Sequence, residues 1–328
     1  MDSQQLTEAV KDLAKRHGAA LVGIASINRF EPKPPYYDRV PKGQDPRDFL
    51  PEARSVISFA MPLLNPAVDA PARLNEMKLE MYPKEAQSYW LDSLYNRVAH
   101  FPQDVLLLFA GQMIGQYLLG LGYDAMIFPT EGVHFRPNRG TMDHDDSIKG
   151  RTENDIMMGS GKSEEWIKEN TPFQYISGPI SHRHCATRAG LGEFGYNNLV
   201  LTKEFGARQR FNTVVTDAEL VPDPLITKPI CLRDKCQLCF KACHVNAIYF
   251  RDDKSKKQDY RSVNKVDKDI IFIDTPTVTD NILCRGRTQG NDNFPTRGDC
   301  ARICPLPRVP KHLTNRLKEI VHEWNPNI

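Results

Sequence analysis

The first 184 residues of this 328-residue chain contain no cysteine, whereas seven of its eight cysteines fall within residues 231–304. Long apolar runs are absent as well. The longest, residues 105–110, is far shorter than the ~18 residues that a membrane-spanning helix needs. We therefore expect no membrane span, and we interpret this run as a core element.

Neither sign of charge is in excess, because 43 Lys and Arg residues stand against 41 Asp and Glu residues and leave a formal net charge of +2. Such a balance gives no electrostatic footprint for nucleic-acid binding. Residues 1–16 are charged and amphipathic, without the apolar segment of a secretory signal, and no twin-arginine export signal is visible. We expect a cytoplasmic protein that binds neither nucleic acid nor membrane.

The cysteines that are present form two groups. The first has the spacing C-x4-C-x2-C-x3-C, which is how a ferredoxin-type loop presents thiolates to an iron–sulfur cluster. Its members are Cys231, Cys236, Cys239 and Cys243. The second group is Cys284, Cys300 and Cys304, and it ends in the C-x3-C-P pattern that is typical of bacterial four-iron motifs.

In two-cluster ferredoxins the last cysteine of each run ligates the other cluster. This rule assigns Cys231, Cys236, Cys239 and Cys304 to one four-iron cluster. It assigns Cys243, Cys284 and Cys300 to a second cluster.

The second cluster has one thiolate fewer than the bacterial pattern, because Arg297 stands three residues before Cys300. One interpretation is a cluster with three protein thiolates, either a three-iron cluster or a four-iron cluster with a non-cysteine ligand. The other is that Cys185 folds back as the fourth ligand. We prefer the three-thiolate arrangement and interpret Cys185 as a small buried residue.

Zinc and disulfides are the alternatives to iron and sulfur. Zinc sites usually close with two C-x2-C knuckles or with spaced histidines, and this chain has one C-x2-C. Disulfides need an oxidising compartment, and no secretory signal indicates export to one. The spacing favours iron–sulfur clusters, with zinc as the main alternative.

The pattern of apolar residues predicts a mixed fold. Leu6, Val10 and Leu13 recur at helical spacing after Ser3, which we expect to cap the helix. Buried strands are predicted at 20–25 and 55–61, and further strands at 123–128 and 211–216. Residues 83–121 read as a long helix broken at Pro102, which lacks a backbone donor. Strands separated by helices predict an α/β (α+β) body.

The chain is long enough for one large domain and one small domain. We predict an α/β domain for cofactor and substrate at 1–222 and a ferredoxin-like iron–sulfur domain at 223–310. Residues 311–328 are predicted to form a C-terminal helix or tail.

A glycine-rich run, Ala189-Gly190-Leu191-Gly192-Glu193-Phe194-Gly195, lies between a predicted short helix and a strand. Three glycines within six residues let the backbone pass close to something flat or bulky, where a side chain would clash. A dinucleotide fingerprint would have to follow a strand and open a helix, so this run is not one.

With the cysteines downstream and the Phe205-Gly206-Ala207-Arg208 turn, this run resembles the cobalamin-dependent iron–sulfur reductases, the family that holds the reductive dehalogenases and epoxyqueuosine reductase. The AGLGE form is more similar to the dehalogenases, because epoxyqueuosine reductase has a tryptophan where Glu193 stands. The resemblance implies a nitroreductase-like body that holds a corrinoid without an axial histidine, and two clusters that feed the cobalt. It implies corrinoid contacts from Ala189, Gly190, Leu191, Gly192, Phe194 and Asn197.

The chain also departs from the family. Ile176 falls where epoxyqueuosine reductase has its catalytic aspartate, which argues against queuosine chemistry. Tyr196 replaces the arginine that follows the E-x-G of the dehalogenases. The first cysteine loop is two residues longer than usual, and His244 replaces the proline that normally follows its last cysteine.

Candidate proton donors lie next to the glycine-rich run. They are Tyr196, His184, His182 and Tyr175. A phenol stays protonated at neutral pH, which makes Tyr196 the first choice for handing a proton to a reduced substrate.

The sequence therefore predicts a cytoplasmic, cobalamin-dependent iron–sulfur oxidoreductase of reductive-dehalogenase type. Electrons would pass from a ferredoxin or flavodoxin through both clusters to the corrinoid, which would reduce a small organic substrate. The alternative is an iron–sulfur electron-transfer protein with the same fold and no corrinoid.

Overall fold

The protein is described here as a computed structural model. The structure describes residues 1–31, 45–69, 101–130, 180–243, 245–253, 267–279, 284 and 298–307. Tyr175, His244, the predicted tail at 311–328 and the predicted helical residues 83–100 lie outside these ranges.

Helices and strands follow one another along the chain. The α-helices are α1 (Ser3–Arg16), α2 (Asn65–Asp69), α3 (Phe101–Gly120), α4 (His182–Arg188), α5 (Leu238–Ala242) and α6 (Asp299–Arg302). The strands are β1 (Leu21–Ser26), β2 (Ser55–Pro62), β3 (Ala125–Ile127), β4 (Glu193–Phe194), β5 (Val200–Leu201), β6 (Gln209–Thr216), β7 (Ile248–Phe250) and β8 (Thr277–Thr279). Short 3-10 turns occupy Ile27–Phe30, Pro46–Asp48 and Arg233–Lys235.

The main sheet has the strand order β1-β2-β6-β3, and every neighbouring pair is antiparallel. Ile57 of β2 pairs with Ile24 of β1 on one side and with Val214 of β6 on the other. The four predicted strands are confirmed, each within two residues of its predicted bounds. The mixed helix and strand fold is confirmed too, in its antiparallel α+β form.

Helices cover both faces of this sheet. Successive residues of a strand point to opposite faces, so neighbours in one strand pack against different helices. Ile57 packs on one face with Val10 of α1 and Leu107 of α3. Its neighbour Val56 packs on the other face with Cys185 of α4. The central strands β2 and β6 are therefore buried over almost their whole length.

Helix α1 begins one residue earlier than the sequence indicated. Asp2 is the cap: its Oδ1 accepts a hydrogen bond from the Gln5 amide at 2.8 Å, and Gln5 Oε1 accepts one from the Asp2 amide at 3.2 Å. The assignment of Ser3 as the cap is wrong, because Asp2 together with Gln5 forms a reciprocal capping box.

Helix α3 corrects the interpretation of residues 105–110 as a core element. Leu107 and Ala110 are fully buried against the sheet, but Leu106 and Phe109 are about half exposed, at 50% and 51%. Residues 105–110 are apolar throughout, but along the helix only the positions that recur every three or four residues reach the sheet. Pro102 lies in the first turn of α3, where its missing N–H costs no hydrogen bond.

Two small antiparallel pairs, β4 with β5 and β7 with β8, connect the body to the cysteine-bearing segments. Phe194 of β4 donates a backbone hydrogen bond to the Phe272 carbonyl at 2.7 Å. Within the described ranges, no helix has both the length and the apolar character needed to cross a membrane.

Candidate metal centre

Four cysteines line one pocket next to Tyr196 and Asn197, the two residues that follow the glycine-rich run. They are Cys231, Cys236, Cys239 and Cys304, the set that the sequence assigns to the first cluster. The pocket wall between them is apolar, with Leu201, Leu232 and Leu306 among its residues. Ligation by these four thiols stays a prediction, but the fold brings them together across 73 residues of sequence, from 231 to 304.

Local backbone conformations aim these cysteines at the pocket. Arg233 and Gln237 both have positive φ, at 53° and 50°, so the loop turns sharply on either side of Cys236. Cys239 then lies on the short helix α5, and Cys304 follows the short helix α6. Helices α5 and α6 pack against each other, which joins the two ends of the cysteine-rich region.

The second set of cysteines lies around Cys300. Burial first, and then nearby Cys284 and Cys243, raise the pKa of the Cys300 thiol to about 12. These are the three cysteines that the sequence assigns to the second cluster. Their spatial association agrees with the crossed pairing of the two runs, while the ligands themselves stay a prediction.

The first set is electrostatically unfavourable as bare thiolates. Burial raises the pKa of Cys231 to about 11, with the carboxylate of Glu193 and the neighbouring Cys236 adding to the effect. Burial likewise raises the pKa of Cys304 to about 12, with Cys231 and Cys236 contributing. Bound iron would reverse this balance, because a metal cation holds its thiol ligands deprotonated.

All eight cysteines are free thiols in the structure. Among the described residues, no three His, Cys, Asp or Glu side chains converge on one position suited to a single metal ion. The four thiols of the first set are instead spread around the wall of their pocket.

Cys185 packs in a different core cluster from Cys231 and Cys304. It is fully buried on α4, with Ala25, Val56 and Val215 in its cluster. Burial raises the pKa of its thiol to about 12. Cys231 and Cys304 belong to the cluster of buried residues around Phe194 and Tyr196. The packing of Cys185 is that of a small apolar core residue.

Tyr196 lies against the cysteine pocket. Its ring is 1% exposed and packs edge-on against Phe250 at 4.9 Å and Phe240 at 5.9 Å. Its hydroxyl donates a hydrogen bond to Asp234 Oδ1 at 3.2 Å. Burial, and then Asp234, raise the pKa of this phenol above its usual value, which weakens it as an acid. A role as proton donor stays a prediction, and the position gives Tyr196 a structural role in the cysteine loop.

The two candidate histidines lie on α4, away from Tyr196's hydroxyl. His182 links strand β6 to the segment after β3, with Nδ1 2.9 Å from Thr213 Oγ1 and Nε2 2.8 Å from the Pro129 carbonyl oxygen. Burial lowers the pKa of His182 to about 4. His184 is 1% exposed, with Nδ1 2.6 Å from Ser181 Oγ and Nε2 3.8 Å from Asp274 Oδ1. Tyr175 lies outside the described residues.

The glycines of the run approach the chain's own backbone. A Cβ on Gly190, whose φ is +75°, would lie 2.1 Å from the Pro224 carbonyl oxygen. A Cβ on Gly192 would lie 2.1 Å from the Leu201 carbonyl oxygen. The sequence correctly indicated a close approach at these positions, and the neighbours that the structure shows are backbone carbonyls of the chain itself.

The other candidate corrinoid contacts are also engaged in packing. Ala189 and Phe194 are buried, and Leu191 packs next to Gly23 of β1. The side-chain Nδ2 of Asn197 donates to the Cys300 carbonyl at 3.4 Å, and its Oδ1 accepts from the Leu199 backbone amide at 3.2 Å. Corrinoid binding by these residues stays a prediction, and the described part of the chain shows no open cradle formed by them.

Sequence reasoning missed one functional candidate, Glu193. Its side chain is completely buried, and its two carboxylate oxygens accept hydrogen bonds from the cysteine loop and from Phe272. The only local signal was a charged residue in the middle of a glycine-rich run. Its partners are 37 to 79 residues away in sequence, which no periodicity could reveal.

Comparisons with known proteins find similarity to reductive dehalogenases. The tetrachloroethene reductive dehalogenase of Desulfitobacterium hafniense is 44% identical over 71 residues, which cover 21% of this chain and 12% of that protein. The solved catabolic reductive dehalogenase NpRdhA matches 98% of this chain and 34% of its own length, at 16% identity and a TM-score of 0.51. Another reductive dehalogenase structure is described in terms of B12-dependent dehalogenation. It matches 97% of this chain and 34% of its own length, at 17% identity and a TM-score of 0.50. No protein-family model matches the chain.

This chain thus spans about a third of the length of its structural neighbours and a smaller share of its curated relative. The structural matches support a shared fold. The 71-residue match supports relatedness in sequence, as the glycine-rich run and the cysteines indicated.

Proposed function

We propose that this chain, a relative of the reductive dehalogenases, is an iron–sulfur oxidoreductase of reductive-dehalogenase type. In this proposal two clusters carry electrons to a corrinoid, where a small organic substrate is reduced. The observation that carries the proposal is the pocket lined by Cys231, Cys236, Cys239 and Cys304, which shares a core cluster with Phe194 of the glycine-rich run.

The donor set fits an iron–sulfur cluster. Four thiols surround an apolar pocket, and a buried apolar site suits a cluster whose charge is spread over iron and sulfide. Cys231, Cys236, Cys239 and Cys304 would hold a four-iron cluster. Cys243, Cys284 and Cys300 would hold the second, as a three-iron cluster or a four-iron cluster with a further ligand. When bound, the clusters supply one-electron transfer.

The corrinoid part of the proposal is supported by the B12-dependent dehalogenation described for one structural neighbour. The described residues of the glycine-rich run do not fit the group as a cradle, because they pack against Pro224 and Leu201. No chemical step is therefore assigned to the corrinoid from these residues.

The proposed architecture is a nitroreductase-like body at 1–222, a ferredoxin-like two-cluster domain at 223–310 and a tail at 311–328. In support, the four strands of the main sheet all precede residue 217, and the described cluster cysteines all follow it. A ferredoxin or flavodoxin in the cytoplasm is the proposed electron donor.

A second candidate function is electron transfer without a corrinoid. The packing of Gly190 and Gly192 against the chain's own backbone favours it, because the glycine spacing then needs no cofactor to explain it. Such a protein would need the cysteine pocket and no substrate site.

One ultraviolet–visible experiment separates these functions. The anaerobically reconstituted chain is expected to show broad iron–sulfur absorption, and addition of cobalamin is expected to give a bound corrinoid spectrum that survives gel filtration. Clusters without retained cobalamin would support the electron-transfer candidate. A colourless protein after reconstitution would contradict both.

A further inference from the structure

Glu193 is the point where the glycine-rich run meets the cysteine loop. Its Oε1 accepts hydrogen bonds from the amides of Ile230 at 2.5 Å and Cys231 at 2.7 Å. Its Oε2 accepts from the Phe272 amide at 3.2 Å and from Nη2 of Arg233 at 3.3 Å. The side chain is 0% exposed. The carboxylate thus accepts from four N–H donors, three of them backbone amides and one a guanidinium.

The carboxylate joins segments that are far apart in the chain. The amides of Ile230 and Cys231 begin the cysteine loop, and the Phe272 amide belongs to the segment before β8. Without an acceptor these N–H groups would be buried and unsatisfied, at a cost of about 1–3 kcal/mol each. Glu193 thus fixes the first residue of the cluster pocket to strand β4 of the body.

The same geometry places a negative charge beside a predicted cluster ligand. The reduction potential of an iron–sulfur cluster depends on nearby net charge, on hydrogen bonds to its sulfurs and on solvent exposure. The Cys231 backbone amide donates to Glu193, so the carboxylate contacts the same residue whose thiol lines the pocket. Solvent screens this charge weakly, because the side chain is fully buried.

The carboxylate has a cationic partner. Arg233 forms an ion pair with it, with Nη2 3.3 Å from Oε2. Its guanidinium also donates to the carbonyls of Lys268 and Ile270 and stacks over the Phe272 ring at 4.3 Å. Its position is therefore set by several contacts besides Glu193.

We propose that Glu193 is a positioning residue that also tunes the electron pathway: its buried carboxylate orients the Cys231 amide and keeps the reduction potential of the adjacent cluster low. The inference rests on the proposed function for the presence of that cluster. One electron from a reduced ferredoxin or flavodoxin would enter beside a fixed negative charge, which opposes its addition. A low potential makes the reduced cluster a stronger donor for the next step.

Replacement of Glu193 by Gln tests the role of the charge. Gln is almost the same size, and its one oxygen can accept from the Ile230 and Cys231 amides, but it carries no charge and its NH2 group cannot accept from Phe272 or Arg233. In an EPR-monitored redox titration of the full reconstituted chain, Glu193→Gln should move the midpoint potential of one cluster upward and leave the other unchanged. A merely structural role would not make the potential follow the sign of the removed charge, upward in Glu193→Gln and downward when Arg233 is replaced.

Glu219→Gln is the matched control. It makes the same chemical change at a carboxylate of the body whose side chain is 72% exposed, so its charge is screened by solvent. This variant should leave both potentials at the parent values. Equal potentials in Glu193→Gln and the parent, or an equal upward shift in Glu219→Gln, would overturn the inference.

A second variant covers the case in which Glu193→Gln does not retain its clusters. Arg233→Gln removes the neutralising cation, so the same cluster should shift to lower potential, and an unchanged or higher potential overturns the inference. Iron analysis of the parent keeps the two proposals distinguishable. A parent without clusters contradicts the proposed function, whereas a cluster-bearing parent with unaltered variant potentials contradicts only the role of Glu193.

Discussion

The hydroxyl of Tyr196 donates a hydrogen bond to Asp234 Oδ1 at 3.2 Å, at the edge of the pocket that four cysteines line. Asp234 is held in turn by Lys268, whose Nζ lies 2.9 Å from Oδ2. This contact ties the residue after the glycine-rich run to the cysteine loop. It also gives the phenol a partner other than a substrate.

Tyr196→Phe is therefore expected to act mainly on stability. Loss of one hydrogen bond to a half-exposed carboxylate should cost about 0.5–1.5 kcal/mol in the free energy of unfolding. Turnover with any substrate that the parent accepts should change less than roughly tenfold. A positioned general acid would instead contribute about 10²–10⁴-fold. A loss of that size at normal cluster content would establish Tyr196 as the proton donor, and a small effect makes His184 the next residue to replace.

Cys185→Ala should leave the iron content unchanged. Cys185 packs with Ala25 and Val215 in the body, away from the core cluster that contains Cys231 and Cys304. The comparison variant is Cys239→Ala, which removes a thiol that lines the pocket and should eliminate one cluster while much of the other remains. Iron and sulfide analysis of both variants distinguishes the two positions. Loss of a whole cluster in Cys185→Ala would identify Cys185 as the fourth ligand of the second cluster.

Gly190→Ala should destabilise the fold whether or not cobalamin is added. Its Cβ would lie 2.1 Å from the Pro224 carbonyl oxygen, and its φ of +75° alone disfavours a side chain by about 1–2 kcal/mol. Gly120→Ala is the control, because no atom lies within 4 Å of a Cβ built there. That change at the end of α3 should be neutral or stabilising by roughly 0.4–1 kcal/mol. Thermal unfolding of the apoprotein measures both, and equal stabilities would contradict the packing described for Gly190.

Leu107→Ala and Leu106→Ala test which side of α3 is covered. Leu107 is fully buried against the sheet, so its truncation should cost about 2–5 kcal/mol. Leu106 is 50% exposed, and its truncation should stay within about 0.5 kcal/mol. Chemical denaturation of the two variants gives both values. A comparable loss in Leu106→Ala would mean that another surface covers the outer side of this helix.

The strands were predictable because their residues carry a local signal. Residues 55–61 and 211–216 are short runs rich in β-branched and apolar side chains, and both form central strands buried on two faces. The apolar run at 105–110 carried no such information about its environment. Six consecutive apolar residues contain no polar position to mark the solvent side, so this run by itself could not show that Leu106 and Phe109 are exposed while Leu107 is buried.

At the candidate site, the sequence indicated which residues belong together but not every contact between them. Ligand spacing is a local property, so the grouping of Cys231, Cys236 and Cys239 followed from it directly. Glu193 depends on amides far away in the chain, and its role became visible only in the fold. A close backbone approach requires glycine whatever the partner is, so the glycine spacing alone could not distinguish a cofactor from the chain's own backbone.

The central claim is that this chain carries two iron–sulfur clusters on its seven C-terminal cysteines. The most direct measurement is the iron, acid-labile sulfide and zinc content of the anaerobically reconstituted protein, with cluster EPR after reduction. The account predicts about seven to eight iron atoms per chain, a similar amount of sulfide and the spectra of two clusters. Bound zinc at about one or two atoms per chain, with no sulfide and no EPR signal, would contradict it.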